Sequence, residues 1–443
     1  MAQAAVARIL PPSQQAYLDE FKAGGWAKRG PGFVREARES AMASFHETGF
    51  PSPKAESWKH TPLRDLTGTA FLPSKGPART VLPAEVDPYR IPGAIELVFV
   101  DGHHVAALDG LADPLVQPLS RAVAKPTEDL EAHLARHAGD EPFTALNTAF
   151  WQDGGYVHLP ADEVVAEPIH LLHISTEPMV PIASHVRHLV LAGPRSQATV
   201  VESYVGLPSG SPALTTAVTE LVAGEGAHIQ RVKLQRENLH ALHIGHLAVR
   251  QDRVSVVHDN LLSIGAALSR HEVDAVLGSE GAEVHLNGLF QATGTQHVDC
   301  PTSIDHAVPH TTSRELYKGV LDGRAHGVFL GSVKVRADAQ KTDSMQTNRN
   351  LLLSLGAMMD TTPQLEIHAD DVKCAHGSTI GHLSKDALFF LRSRGIGEED
   401  ARLVLTKGFA HEVLERFPAS IRPLADGLLE QWFACRKTWG VQG

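Results

Sequence analysis

Cysteine is scarce in this chain of 443 residues: Cys300, Cys374 and Cys435 are an odd number, set far apart. That fits a reducing compartment better than a disulfide framework. Positive charge is short as well, with 40 Lys and Arg against 51 Asp and Glu and a net charge of -11. No nucleic acid and no membrane surface is therefore expected as a general partner. No run approaches the ~18 apolar residues of a membrane helix. The opening MAQAAVARILPPSQQ, broken by Arg8 and Pro11, has neither a signal-peptide core nor a cleavage pattern. The expectation is a soluble, cytoplasmic protein. No GxxxxGK(S/T) loop occurs, so the chain cannot cradle a nucleotide's phosphates in the P-loop manner.

The length is too great for one ordinary core, which leaves two or three domains or one elongated solenoid. Residues 1–150 read as a mainly helical domain. Phe33, Ala37, Ala41 and Phe45 form a stripe on a helix ending near Gly49, and Thr61 before Pro62 suits a helix start. A strand follows at Ile95–Val100, and Thr127 caps a helix with Leu130 and Leu134. The stretch FTALNTAFWQDGGYVHLP from Phe143 passes from helical spacing through a Gly-Gly turn into a strand.

Residues 151–380 change character, with short runs rich in Val, Ile and Thr between Gly, Asn, Asp and Ser turns. A faint repeat links RSQATVVES, GEGAHIQRVKLQ and GSEGAEVHLNGLF, whose alanines, Ala198, Ala227 and Ala282, lie 29 and 55 residues apart. That period suits solenoid coils and favours a right-handed parallel β-helix over a sandwich. Residues 381–443 return to helix as a C-terminal helical domain. Ser384 caps a first helix ending at Gly395, a second runs Glu398 to Thr406 before Gly408, and a third carries Phe409, Val413 and Leu414 to Pro418. Trp432 and Phe433 sit on a terminal helix. The fold class is mainly β, a parallel β-helix flanked by helical domains.

Among 26 histidines, the clusters His103, His104 and His240, His243, His246 read as surface or strand-edge residues. The segment with most chemistry is DDVKCAHGSTIG, residues 370–381. On an extended backbone Cys374 and His376 share a face, and a soft sulfur beside an imidazole suits iron or zinc. Two ligands cannot close a tetrahedral site, so a nearby carboxylate or a second chain must complete it. The preceding alternation puts Leu365, Ile367 and Ala369 toward a core and Glu366, His368 and Asp370 outward. Gln346, Asn348 and Asn350 share one strand face and suit a structural amide ladder. A polysaccharide lyase or hydrolase using Asp370 and Asp371 is disfavoured, because adjacent strand residues face opposite sides.

The motifs YKGVLDGRAHGVFLGSVKV, AQKTDSMQTNRNLLLS, TTPQLEIHADDVKCAHGSTIG, LFFLRSRGI and LTKGF follow one another between Tyr317 and Phe409. In order and spacing they closely resemble the SufB/SufD family of iron-sulfur cluster assembly proteins, and the likeness reaches back to FTALNTAFWQDGGYVHLP. The moderate length, the N-terminal helices and ESWKHTPL resemble the SufD branch; a SufB-like principal cluster scaffold is the alternative. The resemblance implies a right-handed β-helix, a SufB-type scaffold partner and a SufC-type ATPase partner. It implies that His376, with Cys374, contributes to iron or a nascent cluster shared with SufB. It also implies that the helices after Ser384 dock the ATPase, with Arg394, Gly395, Ile396, Lys407, Gly408 and Phe409 as candidates. The chain itself is then a non-catalytic scaffold subunit. Whether the complex holds flavin, and whether the isolated chain forms a homodimer, is not legible in these residues, and Cys300 and Cys435 read as structural.

Overall fold

The computed structural model describes residues 12–439 except 53, 177–179 and 209–211, with side chains described to residue 434. The opening segment and the Cys435 side chain lie outside the described residues. From Gly155–Leu159 to Lys373–Gly381, successive strands alternate between two sheets of ten strands each, and strands two apart in sequence pair in parallel. This is a parallel β-solenoid of about seven turns. Among the described residues, antiparallel pairs appear only at the N-terminal end, where His103–His104 and Val116–Pro118 close the two sheets.

The register makes the repeat explicit. Gln197, His228, Val256, Glu283, Thr312, Asp343 and Lys373 stand side by side, so each coil advances 27 to 31 residues. Ala227 and Ala282 occupy one position two coils apart, as their spacing suggested. Ala198 does not belong with them: it pairs with Ile229, because the first of these coils is two residues longer than the alanine spacing.

Both faces of each sheet are covered, which removes the simple alternation that would separate inside from outside. One parity fills the solenoid with Val200, Ile229, Val257, Leu286 and Phe329. The other parity of the second sheet, including Val201, Val232, Leu262, Leu289 and Leu316, packs under Val413, Leu414, Phe417 and Leu429 of the C-terminal helices. The first sheet is covered by the N-terminal helices through Tyr17, Trp26, Phe45 and Phe150. The helix Pro142–Phe150 is buried from Phe143 onward and leads straight into the first coil. Gly154 makes that entry, since a Cβ there would lie 1.8 Å from the Arg187 carbonyl oxygen; no other residue fits.

Several local expectations shift. The helix Gly32–Thr48 ends before Gly49 (φ 70°), but its buried stripe is Val34, Arg38, Ala41, Met42 and Phe45, with Phe33 and Ala37 at its margin. Thr61 does not start a helix. Its hydroxyl donates to the buried Asp299 carboxylate at 2.6 Å, and helix begins only at Arg64. The second and third C-terminal helices are one, Glu398–Leu414, running through Gly408. An interior glycine costs a helix roughly 1 kcal/mol, and packing of Ala401, Ala410, Val413 and Leu414 outweighs it. Leu365 is partly buried and Ala369 buried, but Ile367 is exposed because no further coil covers it.

Of the histidines read as surface or strand-edge residues, His240 is exposed and His103–His104 form an edge strand, but His243 and His246 are buried. His173 lies in register between Phe99 and Tyr204 and stacks on both, at 4.7 and 4.9 Å between centroids. His243 is fully buried beside Glu237, while His246 points the other way, to Asp274 and Thr144. The interior also holds charge: Arg231 bridges Glu202 and Asp259, and Lys233 lies 5.0 Å from the Tyr204 ring. Burial, with Arg231 adding repulsion, lowers the Lys233 ammonium to about 8. No helix among the described residues is long and apolar enough to cross a membrane.

Candidate functional site

The last coil consists of Met358–Ile367 and Lys373–Gly381, and among the described residues each of these strands pairs on one side only. Pairing in register places Cys374 beside Ser344, His376 beside Gln346, Ser378 beside Asn348 and Ile380 beside Asn350. All four of those neighbours are buried. Cys374 and His376 therefore stand on the interior face of the solenoid, laid open where the coils stop. Cys374 is half-buried and His376 exposed.

Burial, reinforced by the Asp343 carboxylate, pushes the Cys374 thiol up against a backbone hydrogen bond from Ser344. It is protonated at neutral pH, and a metal must displace that proton to gain a thiolate ligand. His376 has no side-chain hydrogen bond among the described residues. Asp371 is held at the coil corner by the Lys341 ammonium, and its N–H donates to Gln340 Oε1 at 2.9 Å. Neither Asp370 nor Asp371 orients the imidazole. No three His, Cys, Asp or Glu side chains among the described residues are arranged to hold a metal ion. The donor chemistry at Cys374 and His376 suits iron, but one chain supplies two ligands there.

Beneath this face the amides are used structurally. Gln346 Nε2 donates to Glu315 Oε2 at 2.6 Å, Asn348 Nδ2 to the Tyr317 carbonyl at 3.3 Å, and Asn350 Nδ2 to Asn348 Oδ1 at 2.5 Å. Burial raises the Glu315 carboxyl from 4.5 to about 7. Because the folded-state value is the higher one, stability is fully present below pH 4.5 and is lost as pH rises through 7. Glu315→Gln should therefore gain stability over the parent between pH 5 and pH 8, by up to about 3 kcal/mol. Urea unfolding of both proteins at the two pH values measures it; a pH-independent difference would contradict the assignment.

The C-terminal candidates divide. Ser384 Oγ accepts the Ala387 N–H at 3.3 Å and starts Lys385–Ser393, a helix with no buried residue. Arg394 and Gly395 (φ 86°) are exposed after it, Ile396 is half-buried, and Gly408 is exposed. Lys407 pairs with Glu430. Phe409 is turned inward: its ring lies 4.3 Å from Lys318 Nζ, and its carbonyl accepts from the same ammonium at 2.9 Å. Residues not singled out from sequence stand out instead. Phe389 is 75 % and Phe390 53 % exposed, and Val404 is 50 % exposed. The signal was present in LFFL, an apolar run on the helix that Ser384 caps.

These features define a helix-flanked β-solenoid whose open last coil carries a thiol and an imidazole on one face. Residues 173–409 match the family described as SUF system FeS cluster assembly, SufBD core domain. Over 414 residues the chain is 33 % identical to the iron-sulfur cluster assembly SufBD family protein slr0076 of Synechocystis, covering 90 % of each. It is 33 % identical over 374 residues to the iron-sulfur cluster assembly protein SufD of Escherichia coli, covering 83 % of this chain and 85 % of that one. Protein ABCI7, chloroplastic, of Arabidopsis thaliana is 31 % identical over 325 residues, 72 % of this chain and 66 % of its own. The chain belongs to the SufBD family of iron-sulfur cluster assembly proteins, and within it the chain is SufD-like.

Proposed function

We propose that the chain is a non-catalytic scaffold subunit. Its last coil pairs with a homologous SufB-type β-helix, and its C-terminal helices dock a SufC-type ATPase. His376, with Cys374, contributes to an iron or nascent-cluster site completed by the partner. One observation carries this reading: the strand Lys373–Gly381 leaves its outer edge unpaired while presenting both donors on one face. Unpaired edges are templates for another strand. Exposed Met358, Ile367 and Ile380 add apolar area to the same end. Nucleotide chemistry is assigned to the partner, because this chain has no P-loop sequence.

His376→Ala should lower iron and cluster content of the assembled three-component complex by about tenfold or more, with unfolding unchanged because the residue is exposed. Cys374→Ser should have the smaller effect, since that thiol is half-buried against the solenoid core. Cluster absorbance and iron content of the purified complexes are the measurements. Unchanged content in the His376 variant would leave the chain purely architectural. The SufB-like alternative requires a stable cluster on this chain alone after anaerobic reconstitution.

A further inference from the structure

A cavity of about 600 Å³ lies far in sequence from the last coil, where the N-terminal helices meet the start of the solenoid. Its apolar walls include the indoles of Trp26 and Trp151, and its polar lining includes Arg29, Arg38, His103 and Ser120. Two guanidiniums meet one indole there: Arg29 lies 3.8 Å and Arg38 5.6 Å from the Trp26 ring. Arg38 is also 4.6 Å from the Trp151 ring.

Arg38 is only 4 % exposed. It donates to the carbonyls of Ala149 and Trp151 at 2.7 and 2.9 Å, which ties it to the C-terminal end of the helix Pro142–Phe150. Its Nε has no partner among the described residues. Neither Arg38 nor Arg29 has a carboxylate partner among the described residues, and no acidic side chain lines the cavity. Two nearby carboxylates are already engaged, each by a residue that also lines the cavity. Glu20 accepts from Trp26 Nε1 at 3.4 Å and lies 3.7 Å from Lys75, and Asp153 accepts from Ser120 and Gly154. Burial, then repulsion from Arg29 and Arg187, lowers the Arg38 guanidinium to about 9. A desolvated guanidinium without a counter-charge is costly, and an anion placed between Arg38 and the exposed Arg29 relieves that cost.

We infer that this cavity binds a small organic anion, a carboxylate or phosphate monoester on a small apolar body. The anionic head is held by Arg29 and Arg38, and the body lies against the apolar wall of Pro31, Ala124 and Pro126, since the indoles of Trp26 and Trp151 are buried beneath the guanidiniums. Planar guanidiniums match both kinds of head group. The site is independent of the cluster-assembly reading, since it shares no residue with the last coil or the C-terminal helices.

The test uses the full chain with benzoate, phenyl phosphate and inorganic phosphate as probes, followed by calorimetry and tryptophan fluorescence. Saturable binding of at least one organic anion is expected, and the two arms distinguish a carboxylate from a phosphate ligand. Arg29 is exposed, so Arg29→Gln should leave folding intact and weaken binding about tenfold, the scale of one charge-assisted hydrogen bond. Ala124 is exposed on the cavity wall, and Ala124→Trp should block binding by filling the space. Absence of binding by both organic probes would overturn the inference. So would binding that both variants leave unchanged, or inorganic phosphate binding as tightly as the phenyl ester.

Discussion

Glu202→Ala is expected to lower the unfolding free energy by about 3 to 5 kcal/mol, the cost of leaving a buried charge without its partner. Glu202 is fully buried inside the solenoid. It accepts from Arg231 Nε at 2.6 Å and Nη2 at 2.8 Å, from Thr219 at 2.8 Å and from Tyr204 at 2.9 Å. Burial by itself would raise its carboxyl, yet the Arg231 guanidinium, with the nearby His188 and Lys233, holds it well below the usual carboxylate range. Its contribution is thus present above the ordinary carboxylate range and lost as pH falls toward the depressed folded value. Removing Glu202 leaves Arg231 with Asp259 alone, one carboxylate where two had been. The comparison is Asp162→Ala, which breaks an exposed pair with Arg195 and should change nothing measurable. Urea titrations of the two variants at neutral pH decide the matter. Equal midpoints would mean that water or relaxation inside the solenoid replaces the lost carboxylate.

Changing Phe389 and Phe390 together to Ser should abolish binding of a SufC-type ATPase and leave the stability of the chain as it was. Both rings are exposed on a helix with no buried residue, so they hold nothing together within the chain. Buried aromatic anchors at an interface cost about 2 kcal/mol or more each on truncation, so two together weaken binding by more than about a hundredfold. The Arg394 guanidinium, 4.1 Å over the Phe390 ring, extends the same patch. Phe409→Ser is the informative contrast. That ring packs under Lys318 in the chain's own core, so its loss should destabilise the fold before it affects a partner. Co-purification and calorimetric titration with the ATPase, beside thermal unfolding of each variant, separate the two. Full binding by the Phe389 and Phe390 variant would place the docking surface elsewhere. Deleting everything after Ser384 is a poorer test. It would strip Val413, Leu414, Phe417 and Leu429 from Val201, Val232, Leu262 and Leu289 and expose the outer face of a sheet.

Much of this architecture follows from local pattern. The strand Ile95–Val100, the Thr127 cap, the Gly-Gly entry into the first coil, the Ser384 cap and the left-handed Gly395 are short-range effects of turn chemistry and capping. The repeat of about 29 residues is legible because each coil reuses the same turns. So is the shared face of Cys374 and His376, which depends only on the extended backbone.

What the pattern could not settle depends on partners distant in sequence. Thr61 looked like a cap until Asp299, 238 residues on, took its hydroxyl. Gly408 looked like a stop until the sheet beneath it supplied enough burial to carry the helix through. His243 and His246 looked superficial because a sheet covered on both faces has no polar side, so alternation no longer reports exposure. For the same reason the Glu202, Arg231 and Asp259 triad was invisible: its members are 28 and 29 residues apart and meet only once neighbouring coils are in register. The sequence alone thus determined the solenoid, its helical flanks and the chemistry of its last strand, which are properties of local backbone preference and repeat length. Tertiary structure decided which side chains are buried, which charges are paired and which rings stay exposed, because those depend on what the coils and helices place against one another.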